Sequence, residues 1–163
     1  MACTVRCAII VLALLNSAAV SGCERQSRES STAQLEFNKT KIRRWIEAGF
    51  NDRALTVVDD VFADSVTVNG IVIRRDGLKQ SMSRHFAGFP DLHVTIDAMV
   101  AEGASVGVWY TGEGTHQGTF ENIPPTGKHL RWAGVDLLTL QHGRVFKAIF
   151  LSELPMQLSA AVK

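Results

Sequence analysis

The sequence predicts a single α+β domain in which helices come first and an antiparallel sheet follows. Two observations carry this expectation. Up to Phe86 most apolar residues recur at helical spacing, whereas from Leu92 onward they alternate with period two. Turn signals punctuate the strands at Asn69-Gly70, Pro124-Pro125-Thr126-Gly127 and His142-Gly143. Helices separated from strands along the chain pack on one face of the sheet.

Leu35, Ile42, Trp45, Ile46 and Phe50 mark an amphipathic helix from Leu35 to Phe50, with Lys39, Lys41, Arg43 and Arg44 on its polar side, stopping near Gly49 and Asn51. Leu55, Val58, Val61 and Phe62 form one stripe of a second, short helix from Arg53 to Phe62. Ser65 to Ile73 holds β-branched runs broken by Asn69-Gly70, a turn dipeptide suited to two successive residues at positive φ. Leu78, Met82 and Phe86 recur every four residues, predicting a third helix from about Asp76 to His85. A hairpin follows, with Val94, Ile96, Ala98 and Val100 on one face, a turn at Glu102-Gly103-Ala104-Ser105, then Val106, Val108 and Tyr110. Lys128 to Gln141 and Arg144 to Ser152 read as two more strands, and Pro155 to Val162 as a terminal helix.

The N-terminus is set apart from this domain. Arg6 precedes an apolar run from Ala8 to Leu15, and Ala18-Ala19-Val20-Ser21-Gly22-Cys23 ends in small residues before a cysteine. That is the layout of a secretory signal, too short to span a bilayer comfortably. Val20-Ser21-Gly22-Cys23 resembles a bacterial lipobox, which implies cleavage after Gly22 and acylation of Cys23. The expected organisation is a signal peptide over 1–22, a lipidated cysteine with a polar tether over 23–33, and the α+β domain over 34–163. Cys3 and Cys7 fall in the removed segment, so the 141-residue mature chain holds no internal disulfide. Removing Arg6 leaves 16 basic and 16 acidic side chains. That balance argues against a nucleic-acid surface or a polybasic membrane patch. The expected location is outside the cytoplasm, anchored to the bacterial cell membrane through acyl chains; inner and outer membrane both remain open.

Three further segments stand in order: Phe89-Pro90-Asp91-Leu92-His93, then Gly114-Thr115-His116-Gln117-Gly118, then Ile123-Pro124-Pro125-Thr126-Gly127-Lys128. In this order and spacing they resemble the SnoaL-like polyketide cyclase (ester cyclase) family of the nuclear-transport-factor-2-like superfamily, over about Phe37 to Leu158. The resemblance implies a cone-shaped, strongly curved antiparallel sheet with helices packed on its concave face. It also implies ring closure by intramolecular aldol condensation, with no metal, flavin or other cofactor.

Alternation in the strand Lys128–Gln141 puts Leu130, Trp132, Gly134, Asp136, Leu138 and Leu140 on its more apolar face, so Asp136 is expected to point inward. A carboxyl there either gains a raised pKa suited to proton transfer or is held structurally by hydrogen bonds. His116 shares parity with Val108 and Tyr110 unless the glycines at 112, 114 and 118 introduce a bulge; it reads either as a pocket group beside Asp136 or as a brace for the sheet. The resemblance implies an acid/base carboxylate at the end of the last strand. There Lys147, Ile149 and Glu153 stand where relatives carry glutamate, tryptophan and aspartate. Trp109 stands where relatives have arginine, and Asn69 near a usual histidine.

The candidate catalytic residues are therefore Glu153, Asp136 and His116. Tyr110, Trp132, Asn69 and Ile149 are the candidate substrate-binding residues. The histidines at 85, 93, 116, 129 and 142 are scattered, and no metal-ligand spacing, phosphate loop or Ser-His-Asp signature occurs. The expected partners are a small apolar or polyketide-like molecule, the membrane through Cys23, and a second copy of the chain docked through the sheet. Two readings stand: a cofactor-free cyclase or isomerase, and a non-catalytic lipid-anchored binding or interaction module.

Overall fold

A computed structural model describes residues 28–162. The signal segment and Cys23 lie outside the described residues. Among those described, no helix is long and apolar enough to cross a membrane.

The first helix, α1, runs over 28–44 and continues as a π-helical turn, Trp45–Asn51. It begins within the stretch read as a tether: residues 28–33 are helical and exposed. The change to π winding alters which side chains share a face. Trp45 and Phe50 now meet edge to face with ring centroids 5.6 Å apart. Asp52 N–H closes the turn on Glu47 O at 3.1 Å, a five-residue reach. The second helix, α2, is confined to Val57–Val61.

Phe62–Val68 (β1) and Ile71–Arg74 (β2) form the first hairpin. Asn69 and Gly70 turn it with φ of 49° and 85°, both in the left-handed region that this dipeptide tolerates. Arg75–Gly88 forms α3, extending the predicted helix at both ends. The remaining strands are His93–Glu102 (β3), Ser105–Thr115 (β4), His129–Gln141 (β5) and Arg144–Ser152 (β6), followed by Leu154–Ala161 (α4).

Six strands form one curved sheet in the order β2-β1-β6-β5-β4-β3. Every pairing is antiparallel except β1 with β6, which run parallel. That pair arises because α3 and the later hairpins intervene between the two strands, so no tight turn dictates their direction.

Two bulges reset the inward face. On β3, Ile96 pairs with Tyr110 but Ala98 with Trp109, so Asp97 is an extra residue. Beyond it Met99 and Ala101 pack inward, while Ala98 and Val100, expected inside, are exposed. On β6, Leu140 pairs with Val145 but Thr139 with Lys147, so Phe146 is extra. A one-residue insertion reverses every side chain past it. Val145 is followed inward by Ala148, Phe150 and Ser152, and Ile149 turns to the outer face.

The β4–β5 register is unbroken from Ser105↔Thr139 to Thr115↔His129. The glycines of β4 introduce no bulge there; Gly112 of β4 and Gly134 of β5 instead make room for rings. A Cβ on Gly112 would meet the Trp132 indole at 2.5 Å, and one on Gly134 would meet the Tyr110 phenol at 2.2 Å. Inward side chains of β4 and β5 pack against Ile42, Trp45, Ile46, Leu78 and Met82 of the helices.

Candidate functional site

The family-like segments first assemble a closed end of the sheet. Phe89 is fully buried beneath Trp132, His116 and Phe120, with ring centroids 5.2–5.6 Å away. The Asp91 carboxylate accepts from Thr115 N–H at 2.6 Å and from Thr115 Oγ1 at 2.7 Å. These bonds hold its pKa below the usual carboxylate range. Gln117 and Gly118 N–H both donate to Gly88 O. The three segments, distant in sequence, thus tie the end of α3 to the end of β4.

His116 belongs to that closure. It is 0 % exposed, and its Nδ1 accepts from Thr126 N–H at 3.3 Å and lies 3.2 Å from Thr126 Oγ1. The proton is therefore on Nε2, which has no hydrogen-bond partner. Of the two readings open for His116, the geometry is that of a brace, with Nδ1 engaged by Thr126 and not by Asp136. His116 fastens the Pro124–Thr126 loop, whose prolines leave few backbone donors to do so.

Between the helices and the concave face lies a cavity of about 170 Å³. One wall is helical: Trp45, Ile46 and Phe50 from the π turn, with Leu78, Met82 and His85 from α3. The sheet supplies Val94, Tyr110, Trp132, Asp136, Phe150 and Ser152. Leu154, at the start of α4, completes the sheet side of the wall.

Asp136 is the singular group of this wall. It is 4 % exposed, and its Oδ1 is buried with no hydrogen-bond partner. Val108, its cross-strand neighbour, offers only packing on the inward side. Burial without a compensating donor pushes its pKa up to about 8, so the carboxyl is mainly protonated at neutral pH.

Tyr110, one inward position along β4, lies over Gly134, and its phenol faces the cavity beside Ser152. Its pKa is raised, first by burial and then by the nearby Asp136 carboxyl. Ser152 Oγ accepts from Leu154 N–H at 3.1 Å, which ties the end of β6 to the start of α4.

His85, which the sequence offered only as one of five scattered histidines, lines the helical wall. Its Nδ1 lies 2.9 Å from Ser81 O. A carbonyl only accepts, so Nδ1 carries the proton and Nε2 keeps its lone pair. Burial holds its pKa below the usual histidine value, so the ring is neutral at pH 7. The signal was available: His85 follows Leu78 and Met82 at helical spacing, on the face that α3 turns to the core.

The structure brings Asp136, Tyr110 and Trp132 together and separates the other four candidates from them. Glu153 is exposed outside the cavity, where its N–H donates to Ala133 O and its Oε2 accepts from Ala133 N–H at 3.2 Å. It extends the β5–β6 ladder into α4. Asn69 likewise copies a strand: its amide donates to Phe150 O at 3.1 Å and accepts from Phe150 N–H at 2.9 Å. Ile149 is on the outer face, placed there by the β6 bulge. Among the described residues no cluster of acidic, histidine or cysteine side chains is arranged to hold a metal ion.

The family model of the SnoaL-like polyketide cyclases matches residues 40–151. The chain belongs to the SnoaL-like polyketide cyclase family. Its fold agrees with that of several solved structures. A Jannaschia sp. protein named for the SnoaL-like polyketide cyclases superposes with a TM-score of 0.70 at 22% identity, over 77% of this chain and 92% of that one. TsrD from Streptomyces laurentii gives 0.69 at 21% identity, over 77% of this chain and 96% of its own. A SnoaL-like polyketide cyclase from Agrobacterium tumefaciens gives 0.68 at 13%, over 77% and 98%. At such identities the agreement concerns the fold. No curated protein matches the chain.

Proposed function

We propose that this SnoaL-like protein binds a small apolar carbonyl compound and catalyses enolisation followed by aldol-type ring closure, without a cofactor. The observation that carries this reading is the protonated, unpartnered Asp136 on the wall of an aromatic cavity. A carboxylic acid kept neutral at pH 7 donates to a carbonyl oxygen where charge develops. His85 Nε2, on the helical wall, accepts the proton from the adjacent carbon. In that step the C–H bond breaks, its proton passes to His85, and its electron pair delocalises onto the oxygen facing Asp136. The enolate carbon then attacks a second carbonyl of the same molecule, forming a C–C bond. The new alkoxide takes the proton from His85. Of the candidate catalytic residues this reading keeps Asp136, and it puts His85 in place of Glu153 and His116.

The half-reaction is measurable without the natural substrate. Phenylacetone in heavy water should exchange its α-protons faster with the protein than without it, as followed by NMR. Asp136→Asn and His85→Gln should each lower that rate roughly 10²–10⁴-fold, the usual contribution of general acid/base groups. Glu153→Gln should leave it within about twofold. Tight binding with no exchange at all would replace the catalytic reading with a binding module.

The N-terminal segment supports export and anchoring as part of the same proposal, with the domain held at the membrane by acylated Cys23. Cys23→Ser should abolish acylation and leave the precursor uncleaved, as read by intact mass in the membrane fraction. A mature chain starting elsewhere, without acyl mass, overturns the anchor.

A further inference from the structure

We propose that the cavity selects an uncharged carbonyl compound of about one ring, held through its oxygen by Asp136 and Tyr110. The inference rests on the site identified above and specifies its ligand.

Size sets the first limit. The cavity of about 170 Å³ is small beside the roughly 300–1,000 Å³ of ordinary ligand pockets. A cavity near 150 Å³ accommodates benzene. A fused multi-ring molecule would have to displace Trp45, Trp132 or Phe150, each packed against other rings or strands. Trp45 is held between Phe62 at 5.2 Å and Phe150 at 5.4 Å, so that wall yields poorly.

Charge sets the second. No lysine or arginine lines the cavity, so an anionic ligand would meet no counter-charge and would face Asp136. The titratable groups that do line it are Asp136, Tyr110 and His85. Asp136 and Tyr110 stand on neighbouring strands, at consecutive inward positions across Gly134. Both are donors in their neutral forms. From these neighbouring positions on one cavity wall, the phenol and the carboxyl can both donate to a single acceptor. A ketone or ester oxygen accepts two such bonds, one on each lone pair. The aromatic walls could also stack against an ammonium ion. That choice would require Asp136 to ionise where its buried Oδ1 has no hydrogen-bond partner, so the neutral ligand is the better match.

Three probes of one frame separate these cases: phenylacetone, phenylacetate and phenethylamine, titrated into the protein at pH 7 by calorimetry. Phenylacetone should bind at least about tenfold more tightly than either ion. Naphthylacetone, one ring larger, should bind at least about tenfold more weakly than phenylacetone. Tyr110→Phe should weaken phenylacetone about five- to tenfold while leaving phenethylamine unchanged. Strongest binding by the amine or by phenylacetate overturns the charge assignment, and preference for naphthylacetone overturns the size limit. The outcome is separable from the catalytic reading. Selective phenylacetone binding without exchange keeps this inference and removes the other, whereas exchange confined to larger ketones does the reverse.

Discussion

Trp45→Ala should destabilise the protein by about 3–4 kcal/mol in urea unfolding, one of the two largest effects expected of any single change here. Trp45 is 4 % exposed and touches three rings: Phe50 and Phe62 edge to face, and Phe150 stacked at 5.4 Å. It joins the π turn of α1 to β1 and β6, so its loss uncouples helix from sheet. Two facts hold the cost below the top of the usual range for large aromatic truncations. The residue already borders a cavity, so fewer packing contacts are lost on that side. Its Nε1–H is buried without a partner, and alanine removes that penalty. Trp45→Phe separates the terms, because it keeps a ring and deletes the orphaned donor. It should remain within about 1 kcal/mol of the parent. A loss below about 0.5 kcal/mol for the alanine variant would show that α1 does not hold the concave face.

The same residue shows how far the sequence could be read. Apolar spacing alone identified α1 and its buried stripe, because helical period and burial are linked locally. The parity of β5 placed Asp136 inward for the same reason, and its unbroken register with β4 kept that parity intact. Parity failed on β3 and β6, where single extra residues, Asp97 and Phe146, reverse the alternation. Nothing local announces them: a bulge is fixed by the partner strand and by the curvature of the whole sheet. The bulge on β6 bears on the positions that the resemblance implied: past Phe146, Ile149 turns to the outer face, and Glu153 lies exposed. The actual inward residues are Phe150 and Ser152. Glycines misled in the other direction. Gly112 suggested irregular backbone, yet it makes room for Trp132 across the strand pair. The helical spacing of α3 put His85 on its core face, but that this face borders a cavity depends on what packs opposite it. The segments that carry the family resemblance tie the closed end, so they marked the fold more directly than the chemistry.

Asp136→Asn should stabilise the folded protein by roughly 2–4 kcal/mol at pH 7, with the gain shrinking towards zero near pH 4. The sign follows from the direction of the shift. Burial raises the Asp136 pKa from 3.8 to about 8 on folding. Between those values the folded state holds a proton that the unfolded chain has released, so stability falls as pH rises across that window. Below pH 4 both states are protonated and the term is fully present; above pH 8 both are ionised and the whole stabilisation is lost. A full window of about four pH units at 1.36 kcal/mol each bounds the effect at roughly 6 kcal/mol, and relaxation or water entry reduces it. Asparagine is nearly isosteric and does not ionise, which removes the slope. His85 and Asp91 also titrate with folding, in the opposite sense, because their folded pKa values are lowered. Both are present in parent and variant, so they cancel when the two stability curves are subtracted. The difference curve from urea unfolding between pH 4.5 and 8.5 should therefore rise with pH. A flat difference would mean that Asp136 is ionised in the fold at pH 7, and the neutral donor on which the proposed chemistry rests would be absent.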